Sequence, residues 1–169
     1  MTTDAVAEKA QEILKKNSIT SPFVNVFDIA EREGLKIEYR VFPNGNSDIS
    51  GFLMADEKTI YLNIDNSPER QAYTVAHELG HYLLGHAPDK YGVLRRANDY
   101  TNTEKSQEEK DADRFAANLL MPEKMIRREL RQYPFLKDAP QILAAKFGVS
   151  VSAMKFRLMN LGIAPGYYA

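Results

Sequence analysis

The run from Ser67 to His86, SPERQAYTVAHELGHYLLGH, decides how the chain is built. Serine followed by proline is a helix start: Ser67 has the side chain of an N-cap, and Pro68 suits the first helical position, where its missing N–H costs nothing. Gly85 and Pro88 are stop signals, so the helix is expected to reach about Leu84. At about 100° per residue, Ala72, Val75, Ala76, Leu79 and Leu83 gather on an apolar face made to pack on a core. His77 and His81, four residues apart, lie about 40° from each other on the other side, one turn above the other. Two imidazoles so placed can reach one tetrahedral metal ion. Glu78 lies beside them, placed to take a proton from water on that ion. His77-Glu78-Leu79-Gly80-His81 is thus an H-E-x-x-H motif on a helix, with its ligand side expected to face a cleft. Arg70, Tyr73, Thr74 and Leu84 share that side.

All three histidines fall within positions 77 to 86. His86 stands five residues past His81, whereas the pattern that uses a third histidine ligand needs it six past, with glycine between. Helical geometry turns it away from the ligand face, and it reads as a polar residue at the helix end.

Working outward, Leu35, Ile37, Tyr39 and Val41 alternate with Lys36, Glu38 and Arg40, the period of a half-buried strand. Pro43–Ser50 (PNGNSDIS) is turn chemistry. Gly51–Ala55 and Thr59–Ile64 read as a hairpin closed by Asp56-Glu57-Lys58. A strand edge beside the cleft would accept an extended peptide, and Gly51–Met54 or Thr59–Asn63 is expected to supply it; an ordinary core hairpin is the competing reading. Two helices precede these strands, Ala5–Lys16 and Asn25–Glu33, the second stopped by Gly34. Beyond the motif, Asp89–Thr103 is polar and reads as a long surface loop. Helical spacing returns over Ser106–Leu120, after Pro122, over Pro140–Phe147 and over Ser152–Leu161. One small sheet placed early among many helices is an α+β plan, not alternating β-α-β units.

The helix over Ser106–Leu120 carries a candidate third ligand. Its buried stripe is Ala112, Phe115, Ala116, Leu119 and Leu120, with Glu109 on its edge and Asp113 one turn further on the same side. Inward carboxylates need a cation or strong hydrogen bonds. A zinc ion on Glu109, and Asp113 holding the far nitrogen of a ligand histidine, would satisfy both. Ser106-Gln107-Glu108-Glu109 also fits a capping box, in which Glu109 would merely cap the helix. Glu108 lies near the stripe as well; only the spacing from Glu109 to Asp113 favours Glu109.

Composition bounds the remaining classes. The 169 residues include no cysteine, which excludes thiol catalysis, thiolate metal sites and disulfides and fits a reducing, cytoplasmic setting. The formal net charge is −1, so no global field favours nucleic acid or an anionic membrane. No apolar run approaches the ~20 residues of a membrane span, and the opening Met1–Glu12 lacks the plan of a signal peptide. From Glu123 to Leu158, eight basic residues stand against three acidic, a local net of +5. Ala144-x-x-x-Gly148 before a helix with Lys155 and Arg157 has helix-turn-helix spacing. That basic face could touch DNA, dock a protein or simply be solvated surface; DNA contact is the weaker reading.

Ser67–His86 and Glu109–Pro122 (EKDADRFAANLLMP) resemble the two signatures of the ImmA/IrrE metallopeptidase family. Ile49–Asn63 and Ala144–Ile163 (AAKFGVSVSAMKFRLMNLGI) resemble it too. The resemblance implies zinc held by His77, His81 and Glu109, Glu78 as general base and Asp113 behind the ligands. It implies a mainly helical, zincin-like (gluzincin-like) core over 1–122, with a C-terminal part over 123–169 resembling a helix-turn-helix. It further implies peptide-bond hydrolysis in a specific intracellular partner, a phage-repressor-like helix-turn-helix regulator. The competing reading is a regulator-binding or toxin-like partner protein that has the zinc site but little hydrolysis. Tyr73 stands where family members often carry phenylalanine, and its hydroxyl is open to either chemistry or solvent. Tyr73, Tyr82, Tyr91 and Tyr100 are equal candidates for an oxyanion donor.

Overall fold

Ser67 Oγ accepts a hydrogen bond from the Arg70 N–H at 3.3 Å, and Gly85, at φ +70°, closes the same helix in the left-handed conformation. Both ends of the central helix are therefore set by local chemistry. The computed structural model describes residues 3–42, 49–86, 93–95, 106–132 and 138–163. Among these, the elements run α1 (Thr3–Lys16), α2 (Val26–Arg32), β1 (Lys36–Arg40), β2 (Gly51–Met54), β3 (Thr59–Asn63), α3 (Pro68–Leu84), β4 (Val93–Arg95), α4 (Gln107–Leu120), α5 (Glu123–Gln132), α6 (Ala139–Phe147) and α7 (Val151–Asn160). The architecture is α+β, as the sequence pattern predicts.

The four strands lie in the order β1-β3-β2-β4. β1 and β3 run parallel, with Ile37 opposite Ile60, and β2 is antiparallel to both β3 and β4. This corrects two expectations. Part of the presumed loop Asp89–Thr103 is a strand, because Val93–Arg95 pairs along Phe52–Met54. Three residues are too few to show a period in sequence, and their extended form is supplied by the β2 edge. In turn, neither hairpin strand is an open edge: β3 is enclosed by β1 and β2, and β2 by β3 and β4. Of the remainder of that loop, and of Pro43–Ser50, residues 87–92, 96–105 and 43–48 lie outside the described residues, Tyr91 and Tyr100 with them.

Leu53, Ile60 and Leu62 from the sheet meet Val75, Ala76 and Leu79 of α3 and Phe115, Ala116 and Leu119 of α4 in one buried cluster. Each of the larger side chains among them, from valine to phenylalanine, contributes about 1.5–3 kcal/mol on burial. The same cluster continues through Leu143, Phe147, Met154 and Leu158 of the last two helices. Arg157 secures that end: it is buried, with Nε donating to the Met121 carbonyl at 3.1 Å and Nη2 to Asn118 Oδ1 at 2.7 Å. It is a tether between α7 and α4, and of the two basic residues of α7 only Lys155 faces solvent.

The approach of α3 to α4 depends on Gly80. A Cβ there would lie 3.1 Å from Phe115 Cδ1 and 3.3 Å from the Ala112 Cα, one of them backbone. Gly80→Val is expected to overpack this contact and lower stability by about 1–3 kcal/mol, several degrees of melting temperature by calorimetry. An unchanged melting temperature would refute the close contact.

Candidate metal centre

Because α3 and α4 touch at Gly80, the histidines of one face the carboxylates of the other. His77 Nε2 and His81 Nε2 approach to 3.0 Å. Glu109 spans the pair, with Oε2 3.3 Å from His77 Nε2 and Oε1 3.2 Å from His81 Nε2. Both rings are buried, and Glu109 is half-buried. Glu108 is exposed. The backbone N–H of Glu109 also donates to Ser106 Oγ at 3.2 Å. The serine caps the helix while the Glu109 side chain turns to the histidines, so the capping reading and the ligand reading use different atoms of one residue.

Asp113 Oδ1 lies 3.0 Å from His77 Nδ1, and it accepts a hydrogen bond from the Tyr73 hydroxyl at 2.9 Å. Tyr73, left open by the sequence, thus belongs to the chain Tyr73–Asp113–His77. Asp113 bonding at Nδ1 leaves His77 Nε2 directed at Glu109 and His81. Glu78 is fully buried, its Oε2 accepting from the Leu53 N–H of β2 at 3.2 Å. The sheet thereby holds the side chain that lies between the two histidines in sequence.

His86 corrects its expected place. It is not turned away: its Nδ1 lies 2.9 Å from His81 Nδ1, with the rings edge to face at 4.9 Å. A regular helix would carry residue 86 off the ligand face, but the left-handed Gly85 bends the chain back, and the His86 N–H donates to the His81 carbonyl at 3.1 Å. The glycine-histidine pair at the stop signal was the available clue. Thr74 to His81 are all buried, while Arg70 and Tyr73 on the ligand side of α3 line a cavity together with Asp113 and Arg114 of α4.

The electrostatics follow from this packing. Burial pushes the His77 pKa down, but the hydrogen bonds to Asp113 and Glu109 outweigh it and raise the group from 6.5 to about 9. Burial pushes Glu109 up, yet its bonds to His77 and His81 bring it from 4.5 to about 2. His86 is lowered, first by burial and then by its neighbour His81. Without a metal, the buried cluster is therefore held together by a proton on His77 between two ionised carboxylates, Glu109 and Asp113.

The donor set fits a metal. One atom each from His77, His81 and Glu109 lies within 4.8 Å of the others. Donors at zinc bond lengths stand about 3.3 Å apart around a tetrahedron, close to the separations found. Two imidazoles and one carboxylate would hold such an ion through three protein donors, the number that catalytic rather than structural zinc sites use.

Comparison with known proteins places the chain in a family. The sequence profile of the IrrE N-terminal-like domain, a peptidase family, matches residues 30–159. The chain is 24% identical over 164 residues to Metallopeptidase ImmA from Bacillus subtilis, an alignment spanning 95% of this chain and 88% of that protein. It is 29% identical over 133 residues to the Radiation response metalloprotease IrrE of Deinococcus radiodurans, covering 79% of this chain but 40% of that one. Among solved structures, a Mycobacterium tuberculosis transcriptional regulator shares the fold with a TM-score of 0.61 at 15% identity, over 92% of this chain and 46% of its own. The chain therefore spans less than half the length of these last two proteins. Fold, donor cluster and relatives together define a metallopeptidase. With a match over most of its length, the chain belongs to the IrrE N-terminal-like domain family. No helix among the described residues is long and apolar enough to cross a membrane.

Proposed function

We propose that the chain is a zinc endopeptidase that cuts one specific intracellular protein, a phage-repressor-like helix-turn-helix regulator. The observation that carries the chemistry is the convergence of His77, His81 and Glu109 within 4.8 Å, with buried Glu78 on the same helix. His77, His81 and Glu109 hold the ion, and Asp113 orients His77 through Nδ1. Bound zinc would lower the pKa of water to about 7 and polarise the scissile carbonyl. Glu78, its Oε2 held by the Leu53 N–H, takes the water proton on its other oxygen and returns it to the leaving nitrogen. Burial of Thr74 to His81 excludes bulk water and strengthens these interactions. Residues 1–122 contain every group named, and the helices of 123–169 are an attached part.

The test mixes the zinc-loaded protein with the regulator encoded beside its gene and follows intact mass. A single defined cut, absent after chelation, is the expected result. A stable complex with no cut would instead make the chain a binding partner of that regulator.

A further inference from the structure

We propose that His86 is a positioning residue for the metal centre: its Nδ1 accepts a hydrogen bond from the His81 Nδ1–H and so keeps His81 in the tautomer that presents Nε2 to the metal. This rests on His77, His81 and Glu109 being the ligands. The two ligand histidines then have supports of different chemistry. His77 has a carboxylate behind it, Asp113 at 3.0 Å, and His81 has a neutral imidazole, His86 at 2.9 Å. Histidine ligands need such a partner, because a free ring flips and shares its proton between both nitrogens. Asp113 stands behind His77 and accepts from Tyr73 in this arrangement, and Glu109 is already engaged at the Nε2 side of His81.

The backbone shows that the imidazole is not merely a by-product of ending the helix. The stop is made by Gly85 in the left-handed conformation and by the His86 main-chain N–H on the His81 carbonyl. Any residue except proline at position 86 supplies that N–H. What histidine adds is a ring folded back onto His81, edge to face at 4.9 Å, with an acceptor nitrogen opposite the donor. A neutral acceptor orients the ligand without adding a fourth carboxylate to a pocket that already holds Glu78, Glu109 and Asp113.

Two substitutions separate the ring from the cap. His86→Ala keeps the backbone bond and removes the acceptor, whereas His86→Asn places Oδ1 where Nδ1 stood. Zinc affinity, measured by competition with a chelating indicator, is expected to fall about 10–100-fold in His86→Ala and to recover most of that loss in His86→Asn. In long-range proton–nitrogen spectra of the zinc-loaded protein, His81 is expected to show one Nδ1–H tautomer in the wild type and in His86→Asn. Helix content should not change. Equal affinity in His86→Ala and wild type would overturn the proposal, and so would loss in both variants, since the acceptor would then not be what matters. His77→Ala is the control: if it leaves zinc affinity intact, the ligand assignment itself fails, whereas loss there with no effect at position 86 dismisses His86 alone.

Discussion

Glu78→Gln is expected to lower the cleavage rate by about 10²–10⁴ while the protein still takes up one equivalent of zinc. Glutamine has the same shape, and its amide oxygen can still accept the Leu53 N–H that now fixes Oε2. What it lacks is the ability to take a proton from water and carry it to the leaving nitrogen. The residue is fully buried, so no solvent carboxylate substitutes for it. Rate and metal content therefore separate in this variant, whereas removal of a ligand would abolish both. Initial rates on the cleaved regulator, with zinc content from mass spectrometry, decide the matter. Turnover near the wild-type rate would remove Glu78 from the chemistry.

The second large effect is on metal uptake. His77 holds a proton to about pH 9 and Glu109 is ionised down to about pH 2. At pH 7 the entering metal must displace the His77 proton, so binding releases about one proton and affinity rises about tenfold per pH unit towards pH 9. Titration calorimetry in buffers of different ionisation enthalpy measures that proton directly, and a pH-independent affinity would contradict the charge assignment. Stripped of metal, the protein has its own pH profile. The raised His77 pKa contributes stability that is complete below 6.5 and is lost as pH rises through about 9. The lowered Glu109 pKa contributes above 4.5 and is lost as pH falls through about 2. Both contributions are complete only between about pH 4.5 and 6.5.

Local chemistry was readable and long-range pairing was not. The ends of α3 follow from Ser67, Pro68 and Gly85, and α4 begins where Ser106 caps it. The α+β class likewise follows from strand and helix periods. The strand order is a different kind of information. Nothing in Lys36–Arg40 states that it lies parallel to Thr59–Asn63, or that Val93–Arg95 closes the β2 edge. Those facts reside in contacts between distant segments. At the site, face and spacing pointed to Glu109 and Asp113 on the inward side of α4, and the full set with both histidines came from the family resemblance. Which histidine Asp113 meets is shown by the packing of α3 on α4. The place of His86 was misjudged because the helix was extrapolated through a glycine that bends it. Tyr73 remained open because a hydroxyl at a helix surface has no partner until the neighbouring helix is in place. Arg157 looked like surface charge, since sequence does not show the Met121 carbonyl that awaits it.

Gly80, which allows α3 and α4 to touch, makes assembly of the ligand set a property of the folded chain alone. A local turn of helix brings His77 and His81 together, but Glu109 arrives only when the second helix packs down. A metal held by these residues would therefore bind the native state far more tightly than the denatured one, and by mass action it would act as a folding ligand. At a free concentration a thousandfold above its dissociation constant it would add about 4 kcal/mol to the unfolding free energy. The cell's metal supply would then set how much of this protein survives, as well as how fast it works.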